Sequence, residues 1–275
     1  MFKKILTLAV ILLAVPAVSA KEIRIIQVTD SHFTTLGQGY SQRDVTPSQR
    51  VLENTIKDIN KISDKSFVVF TGDNIDKPND EDLKAFLKVA NKLNCPYYMV
   101  IGNHEASKYQ KFSKKDYLKI VRRHSKNCKS KEANYVFKHD GMVFLVVDGA
   151  KEVIPGAAGY FKEDTLKWLD RTLKKYKDDY VVIFQHFPIE EPYFNRTHKT
   201  FDADGYRTIL DKHDNVVAIV SGHFHANGEK MVDGVYHIST PSLLESPHYY
   251  KVIDISVNGK KKPKVYTQSR YAIEE

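Results

Sequence analysis

Short apolar runs alternate with amphipathic stretches along most of the chain. Ile23–Val28, Phe67–Phe70, Tyr97–Ile101, Val143–Val147, Tyr180–Phe184 and Val216–Val220 are rich in Val, Ile, Phe and Tyr. They are nearly unbroken in hydrophobicity, which predicts strands buried on both faces. Between them apolar residues recur at helical spacing: Leu52, Ile56, Ile59 and Ile62; Leu83, Phe86, Leu87, Ala90 and Leu93; Leu166, Leu169 and Leu173. Thr46 followed by Pro47 predicts the start of the first helix, with the hydroxyl as cap and proline in the first turn. After Gly222 the rhythm changes. Glu229–Val232, Val235–Ser239, Tyr249–Val257 and Lys264–Gln268 read as strands, with turns at Asp233-Gly234 and Asn258-Gly259. The pattern predicts one α/β domain over residues 21–275 with added antiparallel strands toward its C-terminus.

The longest apolar run stands apart from this alternation. Lys3 and Lys4 precede Ile5–Val15, and Val18-Ser19-Ala20 puts small residues at −3 and −1 of a cleavage site. Residues 1–20 therefore read as a signal peptide removed after Ala20, which makes the mature protein secreted or periplasmic. An uncleaved anchor is the competing reading, but the run is short of the ~20 residues a span needs, and Pro16 interrupts it. No Cys stands at the cleavage point to carry a lipid, so no membrane association is expected after cleavage.

With 42% hydrophobic and 28% charged residues, the composition is that of a folded chain, which excludes disorder and a polytopic membrane protein. The net charge of +8 suits anionic substrates, yet many lysines fall in helix-like stretches such as Leu166–Lys177, where a solvated face explains them. No arginine-aromatic array marks a nucleic-acid surface, so specific nucleic-acid binding is not expected. Cys95 and Cys128 allow one disulfide or two buried thiols, and they are too few for a zinc ribbon.

The candidate chemistry lies just after five of the predicted strands. Ile23–Val28 leads into Asp30-Ser31-His32, Phe67–Phe70 into Gly72-Asp73, and Tyr97–Ile101 into Gly102-Asn103-His104-Glu105. Tyr180–Phe184 leads into His186, and Val216–Val220 into Gly222-His223-Phe224-His225. Ligands of α/β sheets sit outside the carboxyl ends of the strands, so this order delivers Asp30, His32, Asp73, Asn103, His186, His223 and His225 to one place. Seven nitrogen and oxygen ligands without sulfur exceed the needs of one tetrahedral ion and suit two divalent cations ~3.5–4 Å apart, of Mn, Fe, Zn or Ni. Asp73, alone at its strand end, is the expected bridge. Asp211-Lys212-His213 repeats the Asp-x-His spacing but precedes a strand, and reads as a surface coincidence. The loops after His32 and His186 add Arg43, Arg196 and His198 as secondary candidates for contacting a phosphate, against the bland alternative of solvated loop residues.

Together these motifs resemble the calcineurin-like metallophosphoesterase superfamily, whose pattern is Asp-x-His, Gly-Asp-x-x-Asp/Asn, Gly-Asn-His-Asp/Glu, His and Gly-His-x-His. The resemblance spans about residues 23–240. It implies two packed mixed β-sheets flanked by helices, a four-layer αββα sandwich. It also implies one ion on Asp30, His32, Asp73 and His225, and another on Asp73, Asn103, His186 and His223. Purple acid phosphatases place Tyr three residues after the bridging Asp. Asp76 stands there instead, so an iron-tyrosinate centre is not implied. The implied activity is hydrolysis of phosphoesters in small molecules, with a preference for diesters, by in-line attack of a hydroxide shared between the ions. His104 would protonate the leaving group, Glu105 would orient His104 or favour its charged form, and Asp76 would fix a ligand histidine. The alternatives are a monoesterase or nucleotidase of the same family, and a metal-binding relative without turnover.

Overall fold

A computed structural model describes residues 21–37, 43–128, 130–153, 156–259 and 261–272, so the expected signal peptide lies outside the described residues. The first half runs β1 (Lys21–Val28), α1 (Ser48–Lys61), β2 (Lys65–Phe70), α2 (Asp80–Ala90), β3 (Tyr97–Met99), α3 (Lys114–His124), β4 (Tyr135–His139) and β5 (Met142–Val147). Next come β6 (Gly159–Tyr160), α4 (Glu163–Lys175), β7 (Val181–Gln185), β8 (Thr200–Phe201), α5 (Ala203–Leu210) and β9 (Val216–Ser221). The chain finishes with β10 (Gly228–Val232), β11 (Val235–Ser239), β12 (Tyr249–Val257) and β13 (Lys264–Tyr271).

Two mixed sheets carry the architecture, in the orders β13-β12-β1-β2-β3 and β10-β11-β9-β7-β5-β4. Strands β1, β2 and β3 are parallel, and so are β5, β7, β9 and β11. The antiparallel members β12, β13, β10 and β4 lie outside them. Period-two alternation explains why the central strands are apolar throughout. Phe67 and Val69 of β2, Phe144 and Val146 of β5, and Val182 and Phe184 of β7 share one core between the sheets. Their neighbours Val68, Phe70, Leu145 and Ile183 belong to a second core that includes the helices. Phe67 meets Phe144 edge-on at 5.1 Å and so joins the two sheets. Phe86 of α2 packs on Phe70 at 5.1 Å, while Tyr206 of α5 donates a hydrogen bond to Gln185 of β7 at 2.7 Å. The result is the expected four-layer αββα arrangement.

Local differences from the sequence reading have physical causes. Pro47, not Thr46, occupies the cap position of α1 and gives no side-chain cap; the Thr46 N–H is held by Asp44 Oδ1 at 2.9 Å. The stretch 106–131, where the apolar spacing predicts no helix, contains α3, whose Ser113–Asp116 capping box satisfies the N–H groups of both residues. Neither cysteine is in a disulfide, and Cys128 Sγ lies 3.6 Å from the Tyr135 hydroxyl.

Candidate metal centre

The parallel strands of both sheets end on the same side, and their carboxyl-terminal turns are stitched together by backbone bonds. Asp30 N–H donates to Gly72 C=O, and His32 N–H to Asp73 C=O, both at 3.0 Å; Gly222 N–H donates to His186 C=O at 3.1 Å. The two sheets meet through His223 N–H, which donates to Asp30 Oδ2 at 3.0 Å. Five of the seven candidate ligands, Asp30, His32, Asp73, His223 and His225, have positive φ of 39–71°. Non-glycine residues adopt this region at a cost of about 1–3 kcal/mol each, and such strain concentrates at functional sites.

Gly222 allows the closest approach: a Cβ there would fall on Thr29 Oγ1 and Asp30 Oδ2. Gly222→Ala should therefore destabilise the protein by about 1–3 kcal/mol, the usual range for overpacking, and lower its metal content. Thermal unfolding with and without added Mn²⁺ checks this; an unchanged melting temperature and full metal loading would contradict it.

The side chains converge as the strand order requires. His225 Nε2 lies 3.2 Å from Asp30 Oδ1, and His32 Nε2 lies 3.9 Å from the same oxygen. His186 Nε2 is 3.3 Å from Asp73 Oδ2, with His32 Nε2 at 4.0 Å and His104 Nε2 at 3.9 Å. His223 Nδ1 faces His186 Nε2 at 3.2 Å. Three groupings have metal-binding geometry: Asp30, His32 and His225; His32, Asp73 and His104; Asp73, His186 and His223. Asp73 is the carboxylate common to two of them. The Oδ1 of Asn103, the residue before His104, is buried without a hydrogen-bond partner, as is Asp30 Oδ1. Buried acceptors left unbonded are costly, by about 1–3 kcal/mol each, and a cation beside each would satisfy it. The donor set of imidazole nitrogens and carboxylate and amide oxygens fits two divalent ions.

Outer partners aim the rings. His186 Nδ1 donates to Thr71 C=O at 2.8 Å, turning Nε2 to the cluster. His225 Nδ1 meets Glu245 Oε1 at 2.6 Å, and His223 Nε2 donates to His198 C=O at 3.0 Å. His32 Nδ1 lies 3.6 Å from Asp76 Oδ1, beyond hydrogen-bond reach, and the Asp76 carbonyl accepts from His104 Nδ1 at 2.6 Å. For Glu105 the picture differs from expectation. Its carboxylate accepts backbone N–H groups from Gly102 (2.5 Å), Asp73 (2.9 Å), Asn74 (2.6 Å) and Ile75 (3.3 Å). It locks the β2 and β3 turns together, because four inward-pointing amides need an acceptor that water cannot supply.

Among the secondary candidates, Arg43 reaches the cluster and donates to His32 Nε2 at 2.8 Å. His198 contributes its carbonyl, with its ring 5.1 Å from that of His223. Arg196 is exposed. His213 pairs with Asp170 at 2.8 Å, so the second Asp-x-His is indeed a surface feature. Glu245 was not anticipated from sequence. It follows β11, which is parallel to β9, so the rule that selected the other residues also reaches it.

Electrostatics divide the cluster. Burial works against ionisation of Asp30, yet His225 and His186 outweigh it and hold the carboxyl well below its usual range. Asp73 is likewise depressed against burial, chiefly by His186 and His104. Burial lowers His186 and His225, but Asp73 and Asp30 raise the first, and Asp30 and Glu245 the second, to about 9 each. Burial pushes His32 and His223 well down, helped by His104 and His186 respectively. Ligation needs unprotonated nitrogen, so cations must displace protons from His186 and His225. Mn²⁺ affinity should therefore rise between pH 6.5 and 8.5, by up to about tenfold per pH unit for each proton released. Titrations in weakly buffered solution would record both affinity and released acid; a pH-independent affinity would contradict this.

The family model for calcineurin-like phosphoesterases matches residues 23–227. The chain belongs to that family. A protein of Arcobacter nitrofigilis named probable glycerophosphodiester phosphodiesterase GpdQ is 26% identical over 250 residues, 86% of this chain and 82% of that one. A probable cyclic nucleotide phosphodiesterase of Colwellia psychrerythraea is 26% identical over 210 residues, covering 73% and 70%. In fold, a dimetal phosphatase from Danio rerio superposes with a TM-score of 0.67 at 17% identity, covering 88% of this chain and 98% of that one. This calcineurin-like phosphoesterase is accordingly a metal-dependent hydrolase of phosphoester bonds with a dinuclear divalent metal centre.

Proposed function

We propose that this phosphoesterase hydrolyses small phosphodiesters. Asp30, His32, Asp73 and His225 hold one ion, and Asp73, Asn103, His186 and His223 the other. The observation that carries this reading is the position of Asp73 Oδ2, 3.3 Å from His186 Nε2 and 4.0 Å from His32 Nε2, between the two groups of ligands. When bound, the ions activate a water at neutral pH and offset the charge of the phosphate.

The side chains supply the rest. His104 Nδ1 is committed to the Asp76 carbonyl, so Nε2 faces the cluster and is the nitrogen from which the imidazolium gives its proton to the leaving oxygen. Arg43, which reaches His32 Nε2 at 2.8 Å, would meet a phosphate oxygen. The names of the Arcobacter and Colwellia relatives support a diester substrate. The basic, apolar and small-residue pattern of residues 1–20 supports export with removal of the leader, and N-terminal sequencing of the mature protein should begin at Lys21. Among the described residues no helix is long and apolar enough to cross a membrane.

The deciding assay compares bis-p-nitrophenyl phosphate with p-nitrophenyl phosphate after loading with Mn²⁺. Faster diester turnover is expected. A monoester preference, or no turnover with two ions bound, would overturn the reading.

A further inference from the structure

Described residues in the loops after β3 and β5, among them Asn103, His104, Lys151 and Glu152, line a cavity of about 190 Å³ beside the cluster, together with Asp76 after β2. The two loops are tied together. Lys108 N–H donates to Glu152 C=O at 3.0 Å, and Glu152 Oε1 accepts Lys114 N–H at 3.1 Å, so the Glu152 carboxylate is engaged by the first turn of α3. Lys151 lines the same cavity and is half-buried. Among the described residues no carboxylate lies within 4.0 Å of its ammonium, which sits over the ring of Phe201 at 5.6 Å. A half-buried ammonium without a carboxylate beside it is available to a bound anion. Its position says which part of a substrate would supply that anion. A proton donor must lie within hydrogen-bond reach of the leaving oxygen, so the departing group extends from the phosphorus toward His104 and into this space.

We propose that the cavity receives the leaving group, and that Lys151 binds an anionic group which the leaving group itself carries, a phosphomonoester or a carboxylate. The inference rests on the phosphodiesterase reading and narrows its substrate class to esters whose departing half bears its own negative charge. The volume equals roughly six water molecules, room for a three- or four-carbon alcohol with one such group.

The test uses the Mn²⁺-loaded enzyme and methyl phosphodiesters that differ only in leaving group: glycerol, glycerate and glycerol phosphate. At least one charged leaving group should give a kcat/KM about tenfold or more above glycerol, as a charge-assisted contact implies. In Lys151→Met that ratio should fall to about threefold or less, and in Lys151→Arg it should persist. Preference for glycerate or for glycerol phosphate identifies the anion, and either supports the proposal. Equal kcat/KM across the series, or a ratio unmoved by Lys151→Met, overturns it. Failure to cleave any of these, and bis-p-nitrophenyl phosphate as well, counts against the phosphodiesterase reading instead. Binding then decides the present point. Lys151→Met should weaken glycerol 3-phosphate about fivefold more than it weakens inorganic phosphate, and equal weakening overturns the assignment.

Discussion

Asp73→Ala should cost the enzyme both cations and at least ~10³-fold in phosphodiester hydrolysis, since losing one oriented electrostatic donor alone typically costs about 10²–10³. Its Oδ2 lies 3.3–4.0 Å from ring nitrogens of His186, His104 and His32, and it belongs to two of the three metal-competent groupings. The carboxylate also shapes the site by accepting His104 N–H through Oδ1 at 2.9 Å. Asp73→Asn separates the two roles. The amide keeps an oxygen for that bond but loses the negative charge that the proposal has two cations share, so metal content should fall while the fold survives. Elemental analysis beside circular dichroism makes the comparison. Two ions retained in a folded Asp73→Asn protein, with activity within tenfold of the wild type, would contradict the role given to Asp73.

His104→Ala should lower kcat by about 10²–10⁴ for an alkyl leaving group, the range expected for losing a general acid. The loss should shrink with p-nitrophenyl esters, whose phenolate departs without a proton. That leaving-group dependence distinguishes proton donation from a ligand role, which the 3.9 Å approach of His104 Nε2 to Asp73 Oδ2 would also permit. An equal loss on both substrates, together with loss of one metal ion per chain, would assign His104 as a ligand instead.

The site was more legible in the sequence than the scaffold around it. Strand ends in α/β folds gather ligands whatever the loops do, so Asp30, Asp73, Asn103, His186 and His223 could be placed together without knowing how the sheets pack. Helix α3 is faint in the sequence because only Lys114, Tyr117 and Val121 are buried along its Lys- and Arg-rich surface. The Ser113 and Asp116 capping pair was the available signal. Helix α5 has eight residues, and strands β6 and β8 two each, too short to develop a period. Glu105 lay in a recognised motif, yet its task was not readable. Four amide donors from two separate turns converge on it only after β2 and β3 are paired. Positive φ at five candidate ligands is equally invisible in one dimension, because it follows from packing the turns of two sheets into one crevice.

The most direct measurement is anomalous diffraction from crystals of the Mn²⁺-reconstituted enzyme, recorded at the metal absorption edge. Two peaks ~3.5–4 Å apart, one on either side of the Asp73 carboxylate, are the predicted result. A single peak, or peaks remote from Asp73, would contradict the account.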